Sequence, residues 1–320
     1  MMDFYTSNLV LIQATLIGLL LALSIQVPLR MGVFSFAGVG CYGIGAYGGG
    51  ILVIHYHTSP LVTIVLAAVG AALVSFGLAL LINRLGGLYL GMATIAFDLI
   101  ISVIAVNGGD LTGGPTGLYG AITSISMGLV FAIVVVAVVV LTLTERGRLG
   151  RRVEAVRDDP ELAASMGIKV RRYRIAAFVV SGILGGAAGS INTMLRTTVG
   201  PTDIGFALVV LALTMIIVGG ARSWLGALIG AIIFTWLPSI LEVVGQWQHI
   251  IYGIIVALAA IWVPGGLLGV LTEGWRAFQR RRRPPLSTVP VVAIDDAPPD
   301  ADLAVLEELA EDSPVERSAT

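Results

Sequence analysis

Lysine is nearly missing from this chain: Lys169 is the one copy among 19 basic residues in 320. A G-x-x-x-x-G-K-[ST] phosphate loop needs that lysine in a set context. Lys169 follows Ile168 and precedes Val170, so the chain does not hydrolyse ATP itself. Cysteine is equally scarce, and the lone Cys41 excludes an internal disulfide and any thiolate metal cage. Three histidines, His55, His57 and His249, are too scattered for a metal site, and His55-x-His57 reads as a span end or loop. No metal and no cofactor are expected. There is no nucleophile elbow, no zincin motif and no run of paired carboxylates, so an enzyme reading is poor. Charge is thin as well, at 12 % of residues against about 25 % in soluble domains.

What the chain has instead is apolar length. Apolar residues make up 57 % and the mean hydropathy is +0.94. Runs long enough to cross a bilayer recur, so the expected fold is all-α, a polytopic helical membrane protein with about 8–10 transmembrane helices. Nine spans are expected, near 8–27, 34–55, 60–82, 88–106, 125–143, 175–195, 206–221, 224–242 and 250–270. Glycine is abundant, 40 of 320, which suits close helix packing and broken helices in lipid. The start, Met1–Asn8, carries Asp3 and no basic residue, so no cleavable signal peptide is expected. No internal repeat is visible. The net charge of −1 averages a basic middle and an acidic end.

That middle is the most informative stretch. Between the uncharged runs Leu111–Thr144 and Ile175–Leu195, residues 145–174 hold nine cations against five acids. A bilayer core disfavours each Arg by about 2.5–3.5 kcal/mol, so the segment must be a water-facing loop. If it is cytoplasmic, alternation puts Arg30, Arg84, Arg222 and the cluster Arg276–Arg283 on the same side, 17 of the 19 basic residues in all. Asp3, Asp110, Asp203, Glu242 and Arg196 then fall outside, with the N-terminus. That distribution follows the positive-inside rule. Inside the loop, Asp158-Asp159-Pro160-Glu161 is a helix start, and a short helix should run to Gly167. Val153, Val156, Ala163 and Met166 can share one broken apolar stripe; an ordinary solvated loop is the simpler alternative. Residues 1–283 are expected to form the membrane domain, with 145–174 as its loop. Residues 284–320, with nine acids against Arg317, read as a disordered acidic tail, with a short helix around 301–311.

Several ordered motifs then carry a resemblance. Glu161, Ala163, Ala164 and Gly167 resemble the coupling-loop motif of bacterial ABC-importer permeases. More of the chain is similar to the permeases of branched-chain amino acid importers, of the LivM type. The stretches are Phe34–Gly40 with Gly45-Ala46-Tyr47, Gly87–Phe97, Leu111–Gly117, Gly150–Gly167 with Ala177-Phe178, and Val218–Trp224 with Gly226. They cover most of residues 30–265, and their order is more specific than any one alone. The tail lies outside the resemblance.

The resemblance implies an ABC-importer permease fold of type II-like plan in the bacterial plasma membrane. It implies a second, LivH-like permease, two cytoplasmic ABC ATPases and an extracytoplasmic amino-acid-binding protein as partners, besides the lipid bilayer, and no nucleic acid. Arg157, Asp158, Glu161, Ala163, Ala164 and Gly167 would couple to the ATPases. Candidates for the substrate path are Ser35, Gly38, Thr94, Asp98, Thr112, Gly113 and Gly114. The small residues Ser35, Gly38, Gly40, Gly43 and Gly45 let a backbone approach a neighbour or line a cavity, and helix packing is the simpler role. Gly226-x-x-x-Gly230 likewise reads as a helix contact. Thr112-Gly113-Gly114-Pro115 reads as an outer turn beside Asn107 and Asp110. Asp98 is the one acid well inside a span, either a substrate-ammonium partner or gate, or else a satisfied interhelical hydrogen bond. The family pattern implies an acid one position later, where Leu99 stands, about 100° round a helix. Alternatives are a urea or short-amide importer built to the same plan, an ion-driven carrier, and a membrane scaffold without transport.

Overall fold

The computed structural model describes residues 8–241 apart from 146 and 222, together with the isolated positions 247, 251, 253 and 254. The chain divides into two units, Met1–Glu273 and Gly274–Thr320. The second lies outside the described residues, as do the acidic tail and, apart from 251, 253 and 254, the span expected at 250–270. Among the described residues ten α-helices run in order: α1 Leu9–Arg30, α2 Ala37–Tyr56, α3 Pro60–Ile82, α4 Gly87–Asn107, α5 Met127–Glu145, α6 Gly147–Asp158, α7 Pro160–Ser165, α8 Val170–Arg196, α9 Phe206–Gly219 and α10 Trp224–Leu241. Seven of them, all but α6, α7 and α9, are long and apolar enough to cross a membrane.

The span boundaries follow from where charge and turn residues interrupt the apolar runs. Pro60 opens α3 at a position where its missing N–H is harmless. α1 stops at Arg30, and α5 at Glu145. These two ends meet, Arg30 Nη1 donating to Glu145 Oε1 at 2.6 Å. α8 starts five residues earlier than its uncharged run, so Val170–Arg174 belong to the helix rather than to the loop.

α8 is the central element. It packs along α2, α3 and α1, and small residues set how closely. A Cβ at Gly45 would lie 2.5 Å from Gly186 Cα and closer still to its carbonyl oxygen. Gly185 and Gly189 meet the α2 backbone at Gly38 and Tyr42, while Gly182 and Gly186 meet α3 at Ala71, Ala72 and Ala67. α8 thus carries two glycine faces, one for each neighbour. Such backbone approach maximises dispersion contact, which holds helices together where lipid removes the hydrophobic drive between them. Outward faces stay apolar, as with Leu73 and Leu81 on α3, Ile104 on α4 and Phe131 on α5, all exposed.

One connection departs from the expected all-helical layout. Leu118-Tyr119 (β1) and Thr198-Val199 (β2) form a two-residue antiparallel pair with Leu118 opposite Val199. A 3-10 turn, Pro201–Ile204, follows β2 and leads into α9. α9 has 14 residues, about 21 Å of helix, too short to cross a core about 30 Å thick.

Candidate functional site

The loop between α5 and α8 is built as two short helices. α6 turns Val153 and Val156 inward, both buried, and exposes Arg151, Arg152 and Arg157. Gly32 lies against it, so close that a Cβ there would stand 3.3 Å from the Arg157 backbone. α7 is capped by Asp159, whose Oδ1 accepts the N–H groups of Glu161 and Leu162 at 3.0 Å each. Its other end is closed by Gly167 at φ +82°. There Ile168 N–H donates to Ala163 O and Gly167 N–H to Ala164 O, both at 3.0 Å, a Schellman closure. Ala163 is buried against the rest of the loop; Asp158, Glu161, Leu162, Ala164 and Gly167 are exposed. Of the stripe expected from sequence, Val153, Val156 and Ala163 turn inward but Met166 does not. It is 72 % exposed, because it is the C-cap, where the helix has already ended and the periodicity no longer applies.

The second constellation sits at the start of α2. A helix N-terminus leaves donors without intrahelical partners, and here α4 supplies some of the acceptors. Phe36 N–H donates to Thr94 Oγ1 at 3.0 Å and Gly40 N–H to Asp98 Oδ1 at 2.7 Å. Ala37 N–H reaches Ser35 Oγ at 3.3 Å. Thr94 and Asp98 lie four apart and so share one face of α4. Any side chain at Gly40 would strike Asp98 and the Phe97 ring. Gly38 sits under Ser24 and Ser181 in the same way. Asp98 Oδ2 and Ser181 Oγ are buried with no hydrogen-bond partner. Asp98 is 3 % exposed and Leu99 46 %, so an acid moved one position along would leave this cluster for the outer face of α4. Ser35, Thr94 and Asp98 therefore come together, whereas Gly38 turns to Ser24 of α1 and Ser181 of α8.

Thr112, Gly113 and Gly114 do not join them. They form a separate turn beyond the end of α4, roughly 14 Å of helix from Asp98. Gly113 has φ +72° and packs against the Gly117 carbonyl, with Thr116 Oγ1 donating to Gly113 O at 2.7 Å. Gly117 in turn packs on the Val199 carbonyl, which ties this turn to β2. From there the chain re-enters. A Cβ at Gly50 of α2 would meet Leu118 and Val199, and one at Gly43, two helical turns deeper, would stand 3.5 Å from Ile204 Cβ. Ser102 Oγ donates to Pro201 O at 3.5 Å. The connection 198–205 is thus wedged between α2 and α4, which accounts for the shortness of α9: it starts part-way across.

Sequence reasoning passed over Gln26. It is 2 % exposed, and its amide donates to Ala221 O at 3.1 Å and Ser223 O at 2.7 Å, holding the turn between α9 and α10. An amide inside the first apolar run was the available signal, though Gln13 shares it. Gly226 and Gly230 behave as expected, lying against the Gly220 and Met215 carbonyls. His55 and His57 mark the end of α2, with His57 as its C-cap.

A family model described as branched-chain amino acid transport system / permease component matches residues 8–260. The chain is 26 % identical over 289 residues to the high-affinity branched-chain amino acid transport system permease protein LivM of Escherichia coli (strain K12), covering 79 % of this chain and 68 % of that protein. It is 23 % identical over 255 residues to the autoinducer 2 import system permease protein LsrC of Enterobacter sp. (strain 638), covering 76 % and 74 %. It is also 28 % identical over 134 residues to the galactose/methyl galactoside import permease protein MglC of Haemophilus influenzae, covering 39 % and 40 %. No solved structure matches the chain.

Proposed function

From a chain that belongs to the family of branched-chain amino acid transport system permease components, we propose a permease subunit of an ATP-driven importer carrying branched-chain amino acids. Solute would cross between this chain and a second permease, delivered by an extracytoplasmic binding protein. Two ATPases would act from the cytoplasmic side of the bacterial inner membrane, on which the loop 145–174 then lies. The observation that carries this reading is α7. It is capped at both ends, seated by buried Ala163, and presents Glu161, Leu162 and Ala164 outward from a loop pinned to α1 through Arg30 and Glu145. A rigid knob on a pinned loop passes a push from a motor into the spans rather than dissipating it. Arg157, Asp158 and Gly167 frame it.

The test is reconstitution of the complete importer in liposomes with ATP and labelled leucine. Deleting Glu161–Gly167 should bring ATP-driven uptake to background while the two permeases still co-purify. Uptake that survives the deletion would refute the coupling role. Leucine uptake by this chain alone, abolished by a proton or sodium ionophore, would favour an ion-driven carrier. The similarity to LsrC over three quarters of both chains favours, as a second reading, import of another small polar solute. Competition by urea, acetamide or galactose, with none by leucine or valine, would select it.

A further inference from the structure

Asp203 is an acid at a depth where hydrocarbon excludes one. α4 has 21 residues, about 31 Å of helix, which matches the core of a bilayer. Asp98 lies near its middle, and Ser102 is about 6 Å further along. Ser102 holds the Pro201 carbonyl, and Ile204 reaches Gly43 on α2. Both contacts place the turn 201–204 within about two helical turns of the mid-plane. Across that turn Pro201 and Ile204 are buried while Thr202 and Asp203 are exposed.

Irregular backbone at such depth persists only where protein encloses it or where it lines water. An ionised carboxylate facing lipid is disfavoured for the same reason. Asp203 Oδ2 accepts the Gly200 N–H at 2.8 Å. The ion pair among the described residues is Arg30–Glu145, so no described cation stands within ion-pair distance of Asp203, although the exposed Arg196 shares its neighbourhood around Tyr42. A polar, exposed pair at this level, with no ion-pair contact among the described residues, therefore faces a water-filled route.

We propose that Thr202 and Asp203 line the solute path, and that Asp203 receives the ammonium group of an amino-acid solute one to two turns before it meets Asp98. An ammonium supplies both the missing positive charge and three donors, of which the carboxylate takes one or two. The assignment of a solute rests on the importer reading above; the exposure of the pair to water does not.

The two are separated by one experiment on the full importer carrying Cys41→Ala. Asp203→Cys and Thr202→Cys are each treated with a small cationic thiosulfonate, with Ile100→Cys, on an exposed face of α4, as the lipid-facing reference. Both should react about tenfold faster than the reference, since charged reagents do not enter hydrocarbon, and saturating leucine should slow them. Rates equal to that of Ile100→Cys would overturn the proposal. Asp203→Asn should lower uptake of leucine about tenfold more than uptake of 4-methylpentanoate, which lacks the ammonium. Equal losses for the two solutes would overturn the ammonium assignment, and Asp203→Glu should retain leucine uptake. If the unmodified complex shows no ATP-driven uptake while both cysteines still label quickly, it is the importer reading that fails.

Discussion

At the scale of single residues, substitution at Asp98 separates its bracing of α2 from any contact with solute. Its Oδ1 satisfies the buried Gly40 N–H, and its Oδ2 has no partner. Asp98→Ala orphans that N–H and should cost about 1–3 kcal/mol, read as a lower apparent Tm in detergent. Asp98→Asn keeps an acceptor for Gly40 and should stay near the parent Tm. If the carboxylate also handles the solute, Asp98→Asn will lose uptake without losing stability; unchanged uptake would confine it to bracing α2. Glycine gives a sharper contrast. Gly45→Ala drives a methyl into the Gly186 backbone, whereas a Cβ at Gly48, less than one turn away, meets nothing within 4 Å. The first should cost about 1–3 kcal/mol and folded yield, and the second should be tolerated. Thermal scanning with fluorescence-detected gel filtration compares them, and equal loss would contradict the helix spacing described.

At the scale of elements, the connection 198–205 is the part that sequence periodicity did not reach. An apolar run at 206–221 predicts a span, and α9 does begin at Phe206, but 14 residues cover only part of the bilayer. The rest is a β-pair and a 3-10 turn held by partners far away in sequence, Leu118, Gly43 and Ser102. Such tertiary contacts leave no local pattern. Asp203, expected in an outer loop by alternation alone, stands on this connection between Pro201, held by Ser102, and Ile204, packed on Gly43. Its placement has a direct check. Gly43→Cys with Ile204→Cys, on Cys41→Ala, puts two Cβ atoms about 3.5 Å apart, within disulfide range. The pair should oxidise on exposure to copper phenanthroline and give a mobility shift reversed by reductant. Failure to cross-link would remove the wedge. α7, in contrast, was legible in full, because Asp159, Pro160 and Gly167 encode its ends locally.

For the molecule as a whole, eight of the nine expected spans appear as helices within a few residues, and the ninth lies outside the described residues. Bilayer thickness makes this so: an uncharged run of set length is a physical requirement. What composition could not assign was which spans form the centre. α1, α2, α3 and α8 are all apolar, yet α8 packs most extensively on the other three, a fact fixed by glycine faces rather than by hydropathy. Nor could it say which candidates meet. Ser35, Thr94 and Asp98 converge because α2 and α4 run side by side, whereas Gly38 faces α1 and α8 and Thr112–Gly114 stand apart at the end of α4.

Gln26 sets a timetable for biogenesis. Its two acceptors lie 195 and 197 residues downstream. At translation rates of roughly 5–20 residues per second, about 10–40 s pass between the synthesis of Gln26 and that of its acceptors. Through that interval a side-chain amide waits within the hydrophobic α1 with its lasting partners unmade. The nascent chain consequently needs a sheltered, polar-tolerant berth at the insertion machinery, and α1 settles into its final place only after the turn at Ala221–Ser223 emerges.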